Sequence, residues 1–157
     1  MVIQRWQSVM LLIAAVMMGI FSFVSLGQIQ LHDFSFNITS LGILREGIAT
    51  SPGEPAGVHT YEAFAVSLLA AVMSLIAIFC YKSKKLHKNT VMISMLFTVV
   101  SVMLLVFDVY DFSSECGGDV QWSVLICSPL IALIAEIIAL RMIRSDWKKL
   151  EAADRLR

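Results

Sequence analysis

Four long apolar runs, separated by polar segments, set the pattern of this chain. The runs cover about residues 6–27, 62–81, 90–108 and 121–140. A helix rises 1.5 Å per residue and the hydrocarbon core of a bilayer is about 30 Å thick, so about 20 apolar residues cross it. The pattern therefore predicts an all-α membrane protein, with one four-span transmembrane domain over residues 1–157.

The composition agrees with this interpretation. Hydrophobic residues make up 58% of the chain and charged residues only 15%, whereas about a quarter of a soluble domain is charged. The first run follows Arg5 and ends near Ser25-Leu26-Gly27, which resembles a signal peptide. Because the run is long enough to span a bilayer, we predict an uncleaved first helix, with Arg5 and Trp6 at the inner interface.

Basic residues are strongly sorted along the chain. The 12 basic and 12 acidic residues cancel, but four spans would place every basic residue except Arg45 on one side. Lys and Arg are in excess in cytoplasmic segments. We therefore predict an up-down-up-down bundle with both termini, the inner loop 82–89 and a helical tail 141–157 in the cytoplasm. The residues assigned to topology and lipid contact are Lys82, Lys84, Lys85, Lys88, Arg141 and Arg144.

The two predicted outer loops, 28–61 and 109–120, differ in character. Apolar and polar side chains alternate over residues 34–39, which predicts a strand that residues 41–44 could extend into a small hairpin. Four carboxylates fall within residues 108–119. A solvated acidic loop is favoured over a divalent-cation site, because the spacing is irregular and no calcium-loop motif is present.

Small and hydroxyl-bearing side chains mark the faces on which the spans should pack. The second span is rich in Ala and Ser, and Ser94, Thr98 and Ser101 share one face of the third. Such residues let helices approach closely and bond to one another or to their own carbonyls. In the fourth span, Pro129 is predicted to bend the helix.

Glu136 is the only charged residue that lies inside a predicted span rather than at its end, and intramembrane carboxylates are candidates for function. It shares a face with the small residues Ala132 and Ala139. Two interpretations stay open. Glu136 could reach the cytoplasmic interface or pair structurally, or it could handle an ion or a proton. The candidates for structural pairing are Gln7, Arg5, Lys82 and Arg144.

Few residues suggest enzymatic or metal chemistry. His32, His59 and His87 fall in predicted loops, and no Ser or Cys has a neighbouring His and acid in a recognisable motif. The sequence thus predicts neither an enzyme nor a metal or cofactor site, and the basic segments are explained by topology and lipid headgroups rather than by nucleic acid.

The three cysteines form no C-x-x-C pair. We interpret Cys80, Cys116 and Cys127 as small apolar side chains with one exposed thiol. A bridge between Cys116 and Cys127 remains an alternative.

Both ends of the chain resemble a known family. Residues 1–8, MVIQRWQS, resemble an M-I-Q-R-hydrophobe-Q-[ST] start, and residues 140–157 resemble an R-A-I-R-K-D tail that closes on D-R-L-R. Departures include the extra Val2, Met142 for Ala, Ser145 for Lys and Trp147 for an acidic residue. This is similar to the small bacterial four-span proteins of domain of unknown function 4293. The resemblance implies a bacterial inner-membrane protein without a known activity, substrate or cofactor.

The sequence favours a non-enzymatic protein that binds a partner or assists assembly, through its small-residue faces and its long outer loop. The alternative is a small transporter or channel subunit that uses Glu136 and the hydroxyl face of the third span. The expected partners are the lipid bilayer and either another membrane protein or further copies of the chain.

Overall fold

The computed structural model describes residues 2–31, 34–46, 57–80, 84–116 and 118–155. Within them, four helices are long and apolar enough to cross a membrane, and a small antiparallel sheet accompanies them. The predicted helical membrane fold with a partly β loop is confirmed at this level. The elements are α1 (Val2–Phe23), β1 (Gly27–Leu31), β2 (Phe34–Thr39), β3 (Gly42–Glu46), α2 (Tyr61–Phe79), α3 (Lys84–Cys116), β4 (Asp119–Trp122), a 3-10 turn (Val124–Cys127) and α4 (Ser128–Arg155).

The helices pack as a closed ring, in which α1 and α3 each contact both α2 and α4. Small residues face the interior. Since lipid is as apolar as a leucine side chain, helices in a bilayer associate through close packing and hydrogen bonds rather than through a hydrophobic drive. The buried residues of α2 are all small: Ala63, Ser67, Ala70, Ala71, Ser74 and Ala77.

The sheet has the strand order β3-β2-β1-β4 and packs against one end of the bundle, which we call the sheet end. The alternating residues Ile29, Phe36 and Ile38 are fully buried, and the Phe36 ring lies edge-on to Phe112 of α3, with centroids 5.2 Å apart. The predicted strand at residues 34–39 is present as β2, because its apolar side chains cover the helix ends.

Two further strands were not expected. The first predicted span continues to residue 27, but α1 ends at Phe23. The chain then turns, so that the Leu26 amide donates to the Ile38 carbonyl at 2.7 Å and Leu26 is buried with the sheet residues. Gly27 begins β1 where a Cβ atom would lie 2.7 Å from the Gln121 carbonyl oxygen of β4. The apolar run therefore ends inside the sheet rather than in lipid.

The last two helices also depart from the predicted limits. α3 runs from Lys84 to Cys116, so parts of both predicted flanking loops are helical. Pro129 is the second residue of α4, where its missing N–H would have no helical partner anyway. Hence the predicted bend at Pro129 inside a longer helix is wrong.

The opposite end of the bundle, where α3 begins, we call the lysine end. There Gln7 of α1 donates its side-chain amide to Asp146 of α4 at 2.6 Å. Beside this bond, Leu11, Val91 and Ile143 belong to a buried apolar cluster. The predicted helical tail is present as the continuation of α4 to Arg155, although its side chains beyond Asp146 lie outside the described part.

Candidate functional site

Glu136 lies inside the bundle, with none of its surface exposed. Its Oε1 atom lies at hydrogen-bond distance from two hydroxyl oxygens, those of Ser74 of α2 at 2.9 Å and Ser94 of α3 at 2.5 Å. The two serine hydroxyls are 2.7 Å from each other. Three helices thus each contribute one oxygen to a closed triangle, which we call the oxygen ring.

The second carboxyl oxygen of Glu136 has a different environment. Oε2 is buried and has no hydrogen-bond partner among the described residues. Ser94, in contrast, makes a further bond to the Ala70 carbonyl oxygen of α2 at 3.1 Å. One oxygen of this acid therefore has two hydrogen-bond contacts, while the other has none among the described residues.

Apolar clusters lie on both sides of the oxygen ring. On α4, Ala135 belongs to the cluster that continues to the sheet end, and Ala139 to the cluster at the lysine end. On α2, Ala71 precedes Ser74 and belongs to the first of these clusters, and Ala77 follows Ser74 and belongs to the second. Burial in this setting removes Glu136 from water, where an unpaired charge is costly.

The predicted hydroxyl face of α3 turns inward, as expected. Ser94, Thr98 and Ser101 are all fully buried. Thr98 donates to the Ser94 carbonyl at 3.1 Å, and Ser101 donates to the Thr98 carbonyl at 2.9 Å. Among the described bonds of these three residues, only those of Ser94 reach other helices, and Ser94 links this face to Glu136.

Two of the four structural pairings proposed for Glu136, those with Gln7 and Arg144, are not observed. Gln7 bonds to Asp146 instead, and Arg144 is exposed. The side chains of Arg5 and Lys82 lie outside the described residues. Glu136 also does not reach toward the interface, because its side chain is fully buried. The small neighbours Ala132 and Ala139 leave room for the carboxyl to point inward.

Five of the six basic residues assigned to topology belong to described helices, near the start of α3 and in α4. Lys82 falls outside the described residues, and Lys84 and Lys85 open α3 without described side chains. Lys88 is half-buried, whereas Arg141 and Arg144 are exposed. Among the described bonds, none joins Lys88, Arg141 or Arg144 to the oxygen ring.

His87 was expected in a loop, but it lies in the first turns of α3 and is buried. Its Nδ1 donates to the Ala77 carbonyl oxygen at 2.7 Å. The last four carbonyls of a helix lack helical partners, so His87 satisfies one of them near the end of α2. Sequence reasoning missed this role because the early start of α3 was not recognised. Of the other histidines, His59 is exposed and stacked on Tyr61, and His32 lies outside the described residues.

The remaining candidates do not form a metal centre within the described ranges. Cys80, Cys116 and Cys127 are free, so the bridge between Cys116 and Cys127 is not formed. In the described part of the chain, no group of three or more His, Cys, Asp or Glu side chains is placed to hold a metal ion. A cavity of about 190 Å³ lies at the sheet end, lined by Ile43, Val58, Thr60, Asp108, Asp111, Phe112 and Glu115.

One of two comparisons with known proteins gave a match. A search of curated proteins found no match. The family described as Domain of unknown function (DUF4293) matches residues 3–156, which is nearly the whole chain and covers most of both terminal motifs. The chain therefore belongs to the DUF4293 family.

Proposed function

We propose that this protein is a small transporter or channel subunit that handles a cation or a proton at Glu136. The observation that carries the proposal is the fully buried carboxyl group, with Oε1 bonded to Ser74 and Ser94 and Oε2 unpartnered. A carboxylate in a nonpolar interior is stable only when a cation or a proton balances its charge. Its described neighbours supply hydroxyls and no positive charge.

Partner binding loses part of its support, because the small-residue faces are already used inside the bundle. The buried face of α2 is made of Ala and Ser residues, and Ala132, Ala135 and Ala139 of α4 are likewise buried. These faces are therefore not free to receive another membrane protein. Our proposal stays non-enzymatic, since no catalytic constellation stands among the residues that the structure describes.

The sheet keeps partner binding as a second candidate function. Gln28 faces Asn37 on one neighbouring strand and Gln121 on the other, and the Gln28 amide donates to the Asn37 side-chain oxygen at 3.2 Å. All three amides stand on the same sheet face, opposite to the buried Ile29 and Phe36. A row of exposed amides suits a polar partner or a second copy of the chain.

We further propose an orientation in the bacterial inner membrane, with the lysine end and both termini in the cytoplasm. The sorting of the basic residues supports this orientation, and the exposed Arg141 and Arg144 are suited to contact anionic headgroups. Single cysteines placed in turn at Lys88 and at Ser114 of an otherwise cysteine-free protein test it. An impermeant thiol reagent added to intact cells should label only the cysteine at position 114. Labelling of the cysteine at position 88 instead would show the opposite orientation and contradict the proposal.

The function itself is tested in liposomes that contain the purified protein and an internal pH dye or cation dye. Under an imposed gradient, the wild type should give a flux that Glu136→Gln abolishes. Glu62→Gln is the matched control, because Glu62 is an exposed glutamate at the start of α2, and its flux should equal that of the wild type.

Each alternative result decides between the two candidates. An equal flux in wild type and Glu136→Gln would reject a role for Glu136 in transport. A stoichiometric partner recovered from mild detergent, together with no flux, would favour partner binding. A lone homo-oligomer that conducts would favour transport.

A further inference from the structure

The oxygen ring has the dimensions of hydrogen bonds rather than of metal coordination. Ligands at right angles around a metal ion lie about 2.9 Å apart for Mg²⁺ and about 3.4 Å apart for Ca²⁺. Na⁺ bonds to oxygen are about as long as those of Ca²⁺. The ring separations are 2.5 Å, 2.7 Å and 2.9 Å, and two of them are shorter than any of these ions would set. O–H···O bonds, however, fall in this range.

The number of protons decides which form of Glu136 fits the ring. A ring of three oxygens has three short contacts, and each contact needs one proton between its two oxygens. Ser74 and Ser94 supply one hydroxyl proton each. With an ionised Glu136, one contact would bring two proton-free oxygens together. With a protonated Glu136, each oxygen donates once and accepts once around the ring.

The outer contacts of the ring agree with the same count. The Ser94 contact with the Ala70 carbonyl is the longest of the four, at 3.1 Å. This length is expected because the four contacts share three protons, so the Ser94 hydroxyl proton is divided between the ring and this carbonyl. Oε2 becomes the carbonyl oxygen of a neutral acid. Leaving a neutral acceptor unpartnered costs less than leaving a buried charge unpartnered.

No charged side chain of the surrounding helices offers another way to balance an ionised Glu136 within the described part of the chain. On α1, no residue between Trp6 and Phe23 is titratable. Arg141 is five residues after Glu136 on α4, which is about 7.5 Å along the helix axis, and it is exposed. The titratable or charged residues nearest to the ring along each helix are Tyr61, Glu62 and Cys80 on α2, His87, Lys88 and Asp108 on α3, and Arg141 on α4.

We infer that the ligand of Glu136 is a proton rather than a metal cation, and that the neutral acid closes the oxygen ring with Ser74 and Ser94. The physiological role of this proton rests on the proposed function, in which the proton is the species that the site exchanges. The protonation of Glu136 itself is inferred from the geometry of the oxygen ring. The site is thus a proton-binding site built from one acid and two hydroxyls on three helices.

Infrared spectroscopy tests the inference on the full-length protein in lipid nanodiscs at neutral pH. A carboxylic acid has a C=O stretching band that an ionised carboxylate lacks. The wild type should show this band, Glu136→Gln should lose it, and Glu62→Gln should keep it. Labelling with ¹³C-glutamate should shift the band in the unmutated protein, which tests the assignment even where Glu136→Gln does not fold.

Two further measurements refine the test. The first distinguishes an acid that is bonded in the ring from a buried acid without these bonds, and the second distinguishes a bound proton from a bound metal cation. Ser94→Ala should move the acid band to higher frequency, because Glu136 loses a hydrogen-bond partner. Replacing choline chloride by sodium chloride or potassium chloride should leave the band unchanged. A band that disappears in sodium or potassium would identify that cation as the ligand and overturn the inference, while leaving the proposed function in place.

The remaining outcomes also distinguish the two proposals. Absence of a glutamate acid band from the wild type would overturn the inference, even if flux depends on Glu136. An acid band assigned to Glu136, together with no flux in liposomes, would support the inference and contradict the proposed function.

Discussion

Ser94→Ala should destabilise the bundle more than Ser101→Ala does, although the two changes look alike in sequence. Both serines are fully buried on the same face of α3, and each substitution removes one oxygen atom. Ser94, however, contacts Ser74 and the Ala70 carbonyl on α2 and Glu136 on α4. Ser101 bonds only to the carbonyl of Thr98 in its own helix.

The size of the difference follows from the number of contacts between helices. Hydrogen bonds between transmembrane helices average about 0.6 kcal/mol, with a maximum of about 1.7 kcal/mol. Ser94 makes three such contacts, whereas the described bond of Ser101 stays within its own helix. We therefore expect Ser94→Ala to lower the free energy of unfolding by about 1–2 kcal/mol more than Ser101→Ala, since the small loss of packing is common to both.

Steric trapping in bicelles measures this difference, because it reports the free energy of unfolding in a lipid environment. A double-mutant cycle of Ser94→Ala with Ser74→Ala should show a coupling energy of about 0.6 kcal/mol. The reasoning is refuted if the two single variants differ by less than about 0.5 kcal/mol, which is the usual error of additivity. In that case, the oxygen ring would contribute no more than a local helix bond.

Two further substitutions test the packing, and each has a control variant. The control for Ala70→Leu lies in the same helix, and the control for Gly42→Ala is the same change at another glycine. Ala70→Leu should destabilise by about 1–3 kcal/mol through overpacking of a fully buried position, whereas Ala65→Leu on the exposed face of α2 should be nearly neutral in steric trapping. Gly42→Ala should cost about 1–3 kcal/mol, because Gly42 has φ +125° and an added Cβ would overlap the Val58 carbonyl. Gly19→Ala meets no atom within 4 Å and should not destabilise, and equal effects within either pair would contradict the packing described.

The helices could be predicted from the sequence because hydropathy is a local property. Each apolar run contains enough residues to span a bilayer, whatever the rest of the chain does. The strand at residues 34–39 was predictable for the same reason, since its alternation is visible in six residues. In contrast, β1 pairs with β4, and Gln28 faces Gln121 across 93 positions of sequence. Nothing near residue 120 indicates such a partner.

The candidate site was only half predictable for a related reason. Glu136, the small stripe of α4 and the hydroxyl face of α3 were each visible from helical spacing within one segment. Their register was not, because the alignment of one helix along another depends on packing between residues far apart in sequence. The partners of Glu136 are 42 and 62 positions away in sequence. Pairing with Gln7 and Arg144 is not observed, because the depth at which the helices meet could not be known from spacing within one segment.

For the transport proposed at Glu136, the tight packing around this residue predicts the slow flux of a carrier rather than the fast flux of an open channel. Glu136 is fully buried, and apolar clusters lie between it and both ends of the bundle. Exchange of its ligand therefore requires α2, α3 and α4 to separate, and such motions of helices take microseconds to milliseconds or longer. We expect flux in liposomes that saturates with the gradient and no resolved unitary currents in planar bilayers. Steady single-channel currents from the purified wild type, lost in Glu136→Gln, would show a continuous pathway and contradict a site that is closed on both sides.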